Sequence, residues 1–204
     1  MAKQRSVYRF KVELLYIEPA IWRVIVVPES YTFWDLHVAI QDAMGWLDYH
    51  LHAFDTDLSG KRSMPYIGIP ENEMDEGYVA GWRVPITEHF REPGDIVKYD
   101  YDFGDSWEHI VELIAIEPRI SGVKYPRCID GKRACPVEDC GGIEGYYELL
   151  EILTDPNHNE YRETTHWLKN HAKNYYPYKP DEFDPAAVKF SSPYRRWKKM
   201  MNIP

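Results

Sequence analysis

The sequence predicts an α+β fold: a mainly antiparallel, roll-like sheet with helices on one face and a helical C-terminal part. Three observations carry this expectation. Residues 7–15 alternate strictly, with Tyr8, Phe10, Val12 and Leu14 on one side and Arg9, Lys11 and Glu13 on the other, the period of a half-buried strand. Residues 33–44 then switch to helical spacing at Phe33, Leu36, Ile40 and Ala43/Met44. Strand patterns occupy residues 1–118 and helical patterns residues 143–204, an order that separates the two kinds of element instead of alternating them.

The elements follow in turn. Glu18-Pro19 marks a turn, and residues 21–27 are apolar on both faces apart from Arg23, as in a central strand paired with the first. Ser30 or Thr32 is placed to cap the helix, with Asp35 three residues after Thr32, and Gly45 is placed to stop it. Residues 50–54 read as a short strand with His50, His52 and Phe54 on one side. Residues 61–75 are loop-rich, with an edge strand at 64–69, and residues 87–91 suit a helical turn. Strands at 95–103 and 107–116 meet at Gly104-Asp105. A three-residue loop would pair Phe103 with Trp107, Tyr101 with His109 and Tyr99 with Val111, leaving one face apolar and setting His109 among aromatic rings as a structural histidine.

Residues 119–142 read as a cysteine-containing loop. Helices follow over 143–153, ended by Asp155-Pro156, and over 161–172, with Trp167 and Leu168 inward. A last helix, capped by Asp184 with Pro185 at its first position, is expected to run from 185 to about 190 and onward toward Met200. The 204 residues fit one domain over 1–204.

Composition excludes whole classes of function. Hydrophobic residues at 44% supply ample core and argue against disorder. The longest apolar runs, such as residues 24–27, are far short of the roughly 20 residues of a membrane span. The N-terminal residues lack an apolar signal core, so a soluble cytoplasmic protein is expected, with no membrane partner. Residues 71–117 hold thirteen carboxylates against Arg83, Arg91 and Lys98, a balance of −10 within a net charge of −9. A uniformly basic nucleic-acid surface is thereby ruled out. The C-terminal tail is the local exception: Arg195, Arg196, Trp197, Lys198 and Lys199 mix cations with an aromatic ring, the elements of a nucleic-acid contact or of an ordinary solvated helix face.

Cys128, Cys135 and Cys140 are odd in number and imply no disulfide framework. Their C-x6-C-x4-C spacing departs from the two to four residues usual between paired zinc ligands, and no local fourth ligand is present. Buried thiols are the expectation, with no metal or cofactor. Zinc at Cys128, Cys135, Cys140, His50 and His52 is the alternative, since two imidazoles at i, i+2 on a strand face can share an ion with Asp55 or with Asp100, Asp102 and Asp105. Gly141-Gly142 precedes a helix but lacks every phosphate-loop pattern, and Glu138 and Asp139 beside it would repel phosphate. A tight turn fits better.

The stretch Tyr101-Asp102-Phe103-Gly104-Asp105-x-Trp107-x-His109, then Pro126-x-Cys128-x-Asp130-Gly131, then Ala134-Cys135-Pro136-x-Glu138-Asp139-Cys140-Gly141-Gly142, resembles the family named after the third open reading frame of an agrobacterial root-inducing plasmid, the pRi ORF-3-like proteins. Ile21-Trp22-Arg23, His50-Leu51-His52-x-Phe54 and Phe183-Asp184-Pro185 look like further landmarks of that family. One departure is Val137, where the family commonly has a second proline. The resemblance implies a roll-like α+β domain and an association with plasmids and transposable elements; it supplies no activity.

The polar candidates for a site are therefore His50, His52, Asp102, Asp105, His109, Asp130, Glu138 and Asp139. For His50, His52, Asp102, Asp105, Glu138 and Asp139, half of which neighbour glycine or proline in turn-like sequence, the expectation is that they are scattered, each capping its own turn or helix, rather than gathered on one concave surface. A non-catalytic binding or regulatory domain linked to mobile-element biology is the first reading of function. A metal-dependent hydrolase or nuclease is the alternative, and a nucleic-acid binder working through the C-terminal tail is the second.

Overall fold

β1 (Ser6–Leu14) and β2 (Ile21–Pro28) form the expected hairpin, with Tyr8 opposite Val27 and Leu14 opposite Ile21. The computed structural model describes residues 6–59, 64–72 and 74–203. Residues 1–5, read above for a signal segment, and residues 60–63 and 73 of the predicted loop lie outside the described residues. β2 is a central strand as expected, paired on one edge with β1 and on the other with a further strand, β8 (Arg127–Lys132). Helix α1 (Phe33–Met44) carries the capping box: Thr32 Oγ1 accepts from the Asp35 N–H and Asp35 Oδ2 accepts from the Thr32 N–H, while Gly45 closes the helix at φ +94°. Caps of this kind are worth about 1 kcal/mol each.

The remaining strands are β3 (His52–Asp55), β4 (Tyr66–Gly68), β5 (Tyr78–Ala80), β6 (Ile96–Tyr101) and β7 (Trp107–Pro118). They join the others in one eight-stranded sheet ordered β5-β4-β3-β6-β7-β1-β2-β8, antiparallel except for the β4–β5 pair. The segment around 66–68 was expected at an edge; it is interior, and β5 holds the edge. Phe10, Ile25, Phe33, Leu36, Ile40, Phe54, Tyr99, Tyr101 and Trp107 meet in one core between the sheet and α1. Helices α2 (Gly142–Thr154) and α3 (Tyr161–Asn170) close a smaller cluster around Val137, Leu149 and Leu168, with Trp167 half-buried against it. No helix among the described residues is long and apolar enough to cross a membrane.

Three expectations are corrected here. The β6–β7 hairpin pairs Tyr101 with Trp107 and Tyr99 with His109, so its loop has five residues, 102–106, rather than three. A shift of two keeps every side chain on its face, so Tyr99, Tyr101, Trp107, His109 and Val111 are buried as expected, while Phe103 is thrown out into solvent. The cause is Asp102: at φ +57° its Oδ1 accepts from the Gly104 N–H and its carbonyl from the Ser106 N–H, and this local turn displaces the shorter one.

The last helix is also broken. A single 3₁₀ turn over Pro185–Ala187 ends at Val188, and a separate helix α4 (Pro193–Met200) starts under its own cap, Ser192.

The third correction is β8, expected as loop. Most of its residues are exposed and it has no alternation to read. Asp130-Gly131 is part of a bulged edge strand, paired with Val24 and Arg23. A Cβ on Gly131 would stand 2.4 Å from the Phe183 ring and 2.9 Å from the Trp22 carbonyl oxygen. Phe183 in turn lies 3.6 Å over the guanidinium of buried Arg23, which donates to Ala43, Trp22 and Lys132 carbonyls. Three of the family landmarks, Arg23, Gly131 and Phe183, thus form one packing unit of the fold.

Candidate functional site

The hairpin loop 102–106 is the scaffold of the site. Its Asp102 N–H donates to the Leu51 carbonyl, which fixes the loop beside the chain that leads into β3. On its other side Asp105 Oδ2 accepts from the Gly141 N–H at 3.2 Å. A Cβ on Gly142 would fall 2.7 Å from the Asp105 carbonyl oxygen, so the Gly-Gly pair allows two backbones to touch. Three distant segments, 50–51, 102–105 and 139–142, are thereby brought together.

At their junction lie His50, Asp102 and Asp139, and one ligand atom from each falls within 4.8 Å of the others. His50 Nε2 is 2.7 Å from Asp139 Oδ1 and 3.5 Å from Asp102 Oδ2. His171 Nε2, from the end of α3, stands 4.0 Å from the second oxygen of Asp139. The three central groups have the donor types of a divalent-cation site. Among the described residues this is the group of histidine, cysteine and carboxylate side chains that comes close enough to share an ion.

The other sequence candidates lie elsewhere or serve the fold. His52 does not share a strand face with His50, because β3 begins only at His52. It is buried and stacked on His37, with ring centroids 3.5 Å apart, and neither of its ring nitrogens has a hydrogen-bond partner among the described residues. Burial first, and the neighbouring His37 second, hold its pKa well below the ordinary value. His109 is the expected structural histidine: buried among Trp46 and Tyr99, Nδ1 facing the Tyr99 carbonyl at 3.2 Å, its pKa lowered to about 4 by burial.

Glu138 is buried and holds two segments together, accepting from the Tyr101 hydroxyl and, at 2.5 Å, from the Leu47 N–H. Asp130 accepts from the N–H of its neighbour Gly131. Asp100 faces Glu108 across the β6–β7 pair rather than Asp102, and burial followed by Glu108 raises it to about 6. The thiols stand apart: Cys135 is buried, Cys128 Sγ lies 3.4 Å from the Asp130 carbonyl, and burial pushes Cys140 up to about 12. Of the eight polar candidates, three converge, Asp105 adjoins them and four serve turns, strands or the core.

A groove of about 810 Å³ opens beside His50, between residues 47–51 and α4. One wall carries Arg195, Arg196 and Lys199; the other carries Trp34, Asp48, Tyr49 and Leu51. α4 is clamped to α1 by several polar contacts. Trp34 Nε1 donates to the Pro193 carbonyl, Ser191 donates to Asp42, and Arg196 pairs with Asp42 at 2.5 Å and Asp48 at 3.1 Å. Burial raises the Asp48 carboxyl, but the His37 and Arg196 partners outweigh it and hold its pKa below the ordinary value.

Of the tail residues named above, Arg195 and Lys199 are exposed and carry no ion pair among the described residues. Trp197 is half-buried between Trp82 and Tyr194, and Lys198 does not line the groove. The roles of Asp48, Tyr49 and His171 had no sequence signal, because their partners Arg196, Tyr101 and Asp139 lie far off in the chain.

Comparison with known proteins agrees with this architecture. The crystal structure of a protein of unknown function, MM3350 from Methanosarcina mazei Go1, superposes with a TM-score of 0.78 at 41% identity, covering 91% of this chain and 99% of that one. An uncharacterized protein, y4hQ of Sinorhizobium fredii (strain NBRC 101917 / NGR234), is 35% identical over 187 residues, 91% of this chain and 88% of that protein. Residues 6–187 match the family described as plasmid pRiA4b ORF-3-like protein, as the landmarks at 101–109 and 126–142 imply. The chain belongs to the plasmid pRiA4b ORF-3-like protein family.

Proposed function

We propose that the protein is a non-catalytic binding domain whose groove beside α4 takes a single strand of nucleic acid. The observation that supports this most is the groove's lining: Arg195 and Lys199, one helical turn apart and without a carboxylate partner among the described residues, line it together with Tyr49, 62% exposed, and Leu51, 54% exposed. Cations that track a phosphate backbone and an aromatic face on which a base can stack are the two components of sequence-tolerant strand binding. Arg196 has a different part. Its pairs with Asp42 and Asp48 are spent on holding α4 in place.

The net charge of −9 does not oppose the reading. Screening over about 8 Å at physiological salt makes the local charges decide, and with Arg196 offset by Asp42 and Asp48, Arg195 and Lys199 remain as the groove's unpaired cations among the described residues. A regulatory role on a mobile element is compatible with such binding, since the family takes its description from a plasmid reading frame.

Binding of a fluorescent single-stranded oligonucleotide tests the proposal. Affinity should fall with salt, at a log–log slope of about −0.7 for each phosphate neutralised, hence about −1.4 for Arg195 and Lys199 together. The double variant Arg195→Ala, Lys199→Ala should bring the slope near zero and abolish binding at physiological salt. An affinity unchanged in that variant would refute the groove as the binding surface.

A further inference from the structure

A second site lies at the rim of the groove, and it does not depend on the nucleic-acid reading: we infer that His50, Asp102 and Asp139 bind a divalent cation, with Zn²⁺ the best match. One nitrogen faces two carboxylates, and a single N–H cannot satisfy both. His50 Nε2 makes a hydrogen bond with Asp139 at 2.7 Å, while Asp102 Oδ2 stands off at 3.5 Å.

Among the described residues Asp102 Oδ2 receives no hydrogen bond, although only 10% of its side chain is exposed. The other oxygen, Oδ1, is already used by the Gly104 and Asp105 N–H groups of the turn. Two carboxylates that share one imidazole N–H repel each other, and a cation among the three groups offsets that repulsion.

The distances fit. Zn–N and Zn–O bonds of about 2.0–2.1 Å place tetrahedral ligand atoms about 3.3–3.4 Å apart. The His50–Asp102 separation of 3.5 Å is already there, and the His50–Asp139 pair needs to open by only about 0.6 Å from its 2.7 Å hydrogen bond. A neutral imidazole with two carboxylates balances the ion's double charge. His50 and Asp139 are accessible, so an ion can enter and a water can take the fourth position. His171, 4.0 Å from the second oxygen of Asp139, is placed to orient that carboxylate. One imidazole among carboxylates also suits Mn²⁺, whereas the cysteines, Cys135 buried and Cys128 and Cys140 half-buried, offer no competing cluster among the described residues.

Calorimetric titration of the chelator-treated full chain with ZnCl₂ tests this. One ion should bind per chain, and His50→Ala and Asp139→Asn should each weaken binding at least tenfold. Asp102→Asn should do the same while keeping the Oδ1 acceptor that the turn needs, and added Zn²⁺ should raise the Tm of the wild type but not of these variants. Zinc affinity unchanged in His50→Ala and Asp139→Asn, whose side chains are partly exposed and not needed for the core, would overturn the inference. So would the loss of binding in Cys135→Ser alone.

Discussion

Replacing Trp107 with alanine should destabilise the protein by about 3–5 kcal/mol, the range for truncating a large buried aromatic side chain. Trp107 is 1% exposed, pairs with Tyr101 across the β6–β7 ladder and lies 6.0 Å from the Trp46 ring. Those contacts anchor the hairpin whose loop presents Asp102 and Asp105, so the loss should reach the site as well as the core. Urea unfolding of the wild type and variant measures it: the midpoint should drop with the slope nearly unchanged. A loss below about 1 kcal/mol would mean that the hairpin packs in another register.

Acid should weaken the fold well above the range in which ordinary carboxylates titrate. His52 and His109 are buried with lowered pKa values, so below pH 6.5 the unfolded chain takes up protons that the folded chain refuses. Their stability contribution is whole above the unfolded value and is lost as pH falls toward the folded one. Asp100, raised to about 6, works in the opposite direction and offsets part of this as it protonates in the folded state. The net fall between pH 7 and pH 5 should be about 2–3 kcal/mol. Urea midpoints at the two pH values check it, and His109→Gln should flatten the dependence. Equal stability at both pH values would contradict the burial of these rings.

Much of the sheet was legible because its rules are local. Period-2 alternation in β1, the Thr32–Asp35 box and Gly45 are signals written within a few residues of where they act. Even the β6–β7 hairpin kept its faces, since apolar alternation fixes the side of the sheet. It does not fix the register, which Asp102 moved by two residues through its own turn. β8 was missed because an exposed edge strand has no apolar period, and because Gly131 is required by a ring 52 positions away, that of Phe183.

The site was legible in residue type and not in geometry. His50, Asp102 and Asp139 were all among the candidates, but nothing near His50 shows that its partner is 89 residues away. His52 carried the same apparent signal and turned out to be a core residue stacked on His37. In the C-terminal tail the sequence presented five equal candidates. The fold divides them, with Arg196 locked to Asp42 and Asp48, Trp197 packed beside Trp82, and Arg195 and Lys199 left facing the groove.

The most direct test of the groove is photo-cross-linking with an oligonucleotide carrying 5-iodouridine, followed by mass spectrometry of the modified peptide. The nucleic-acid reading predicts a cross-link to Tyr49, the exposed aromatic ring opposite Arg195 and Lys199, and its loss in the Arg195→Ala, Lys199→Ala variant. Cross-links confined to other surfaces, with Tyr49 unmodified, would contradict it.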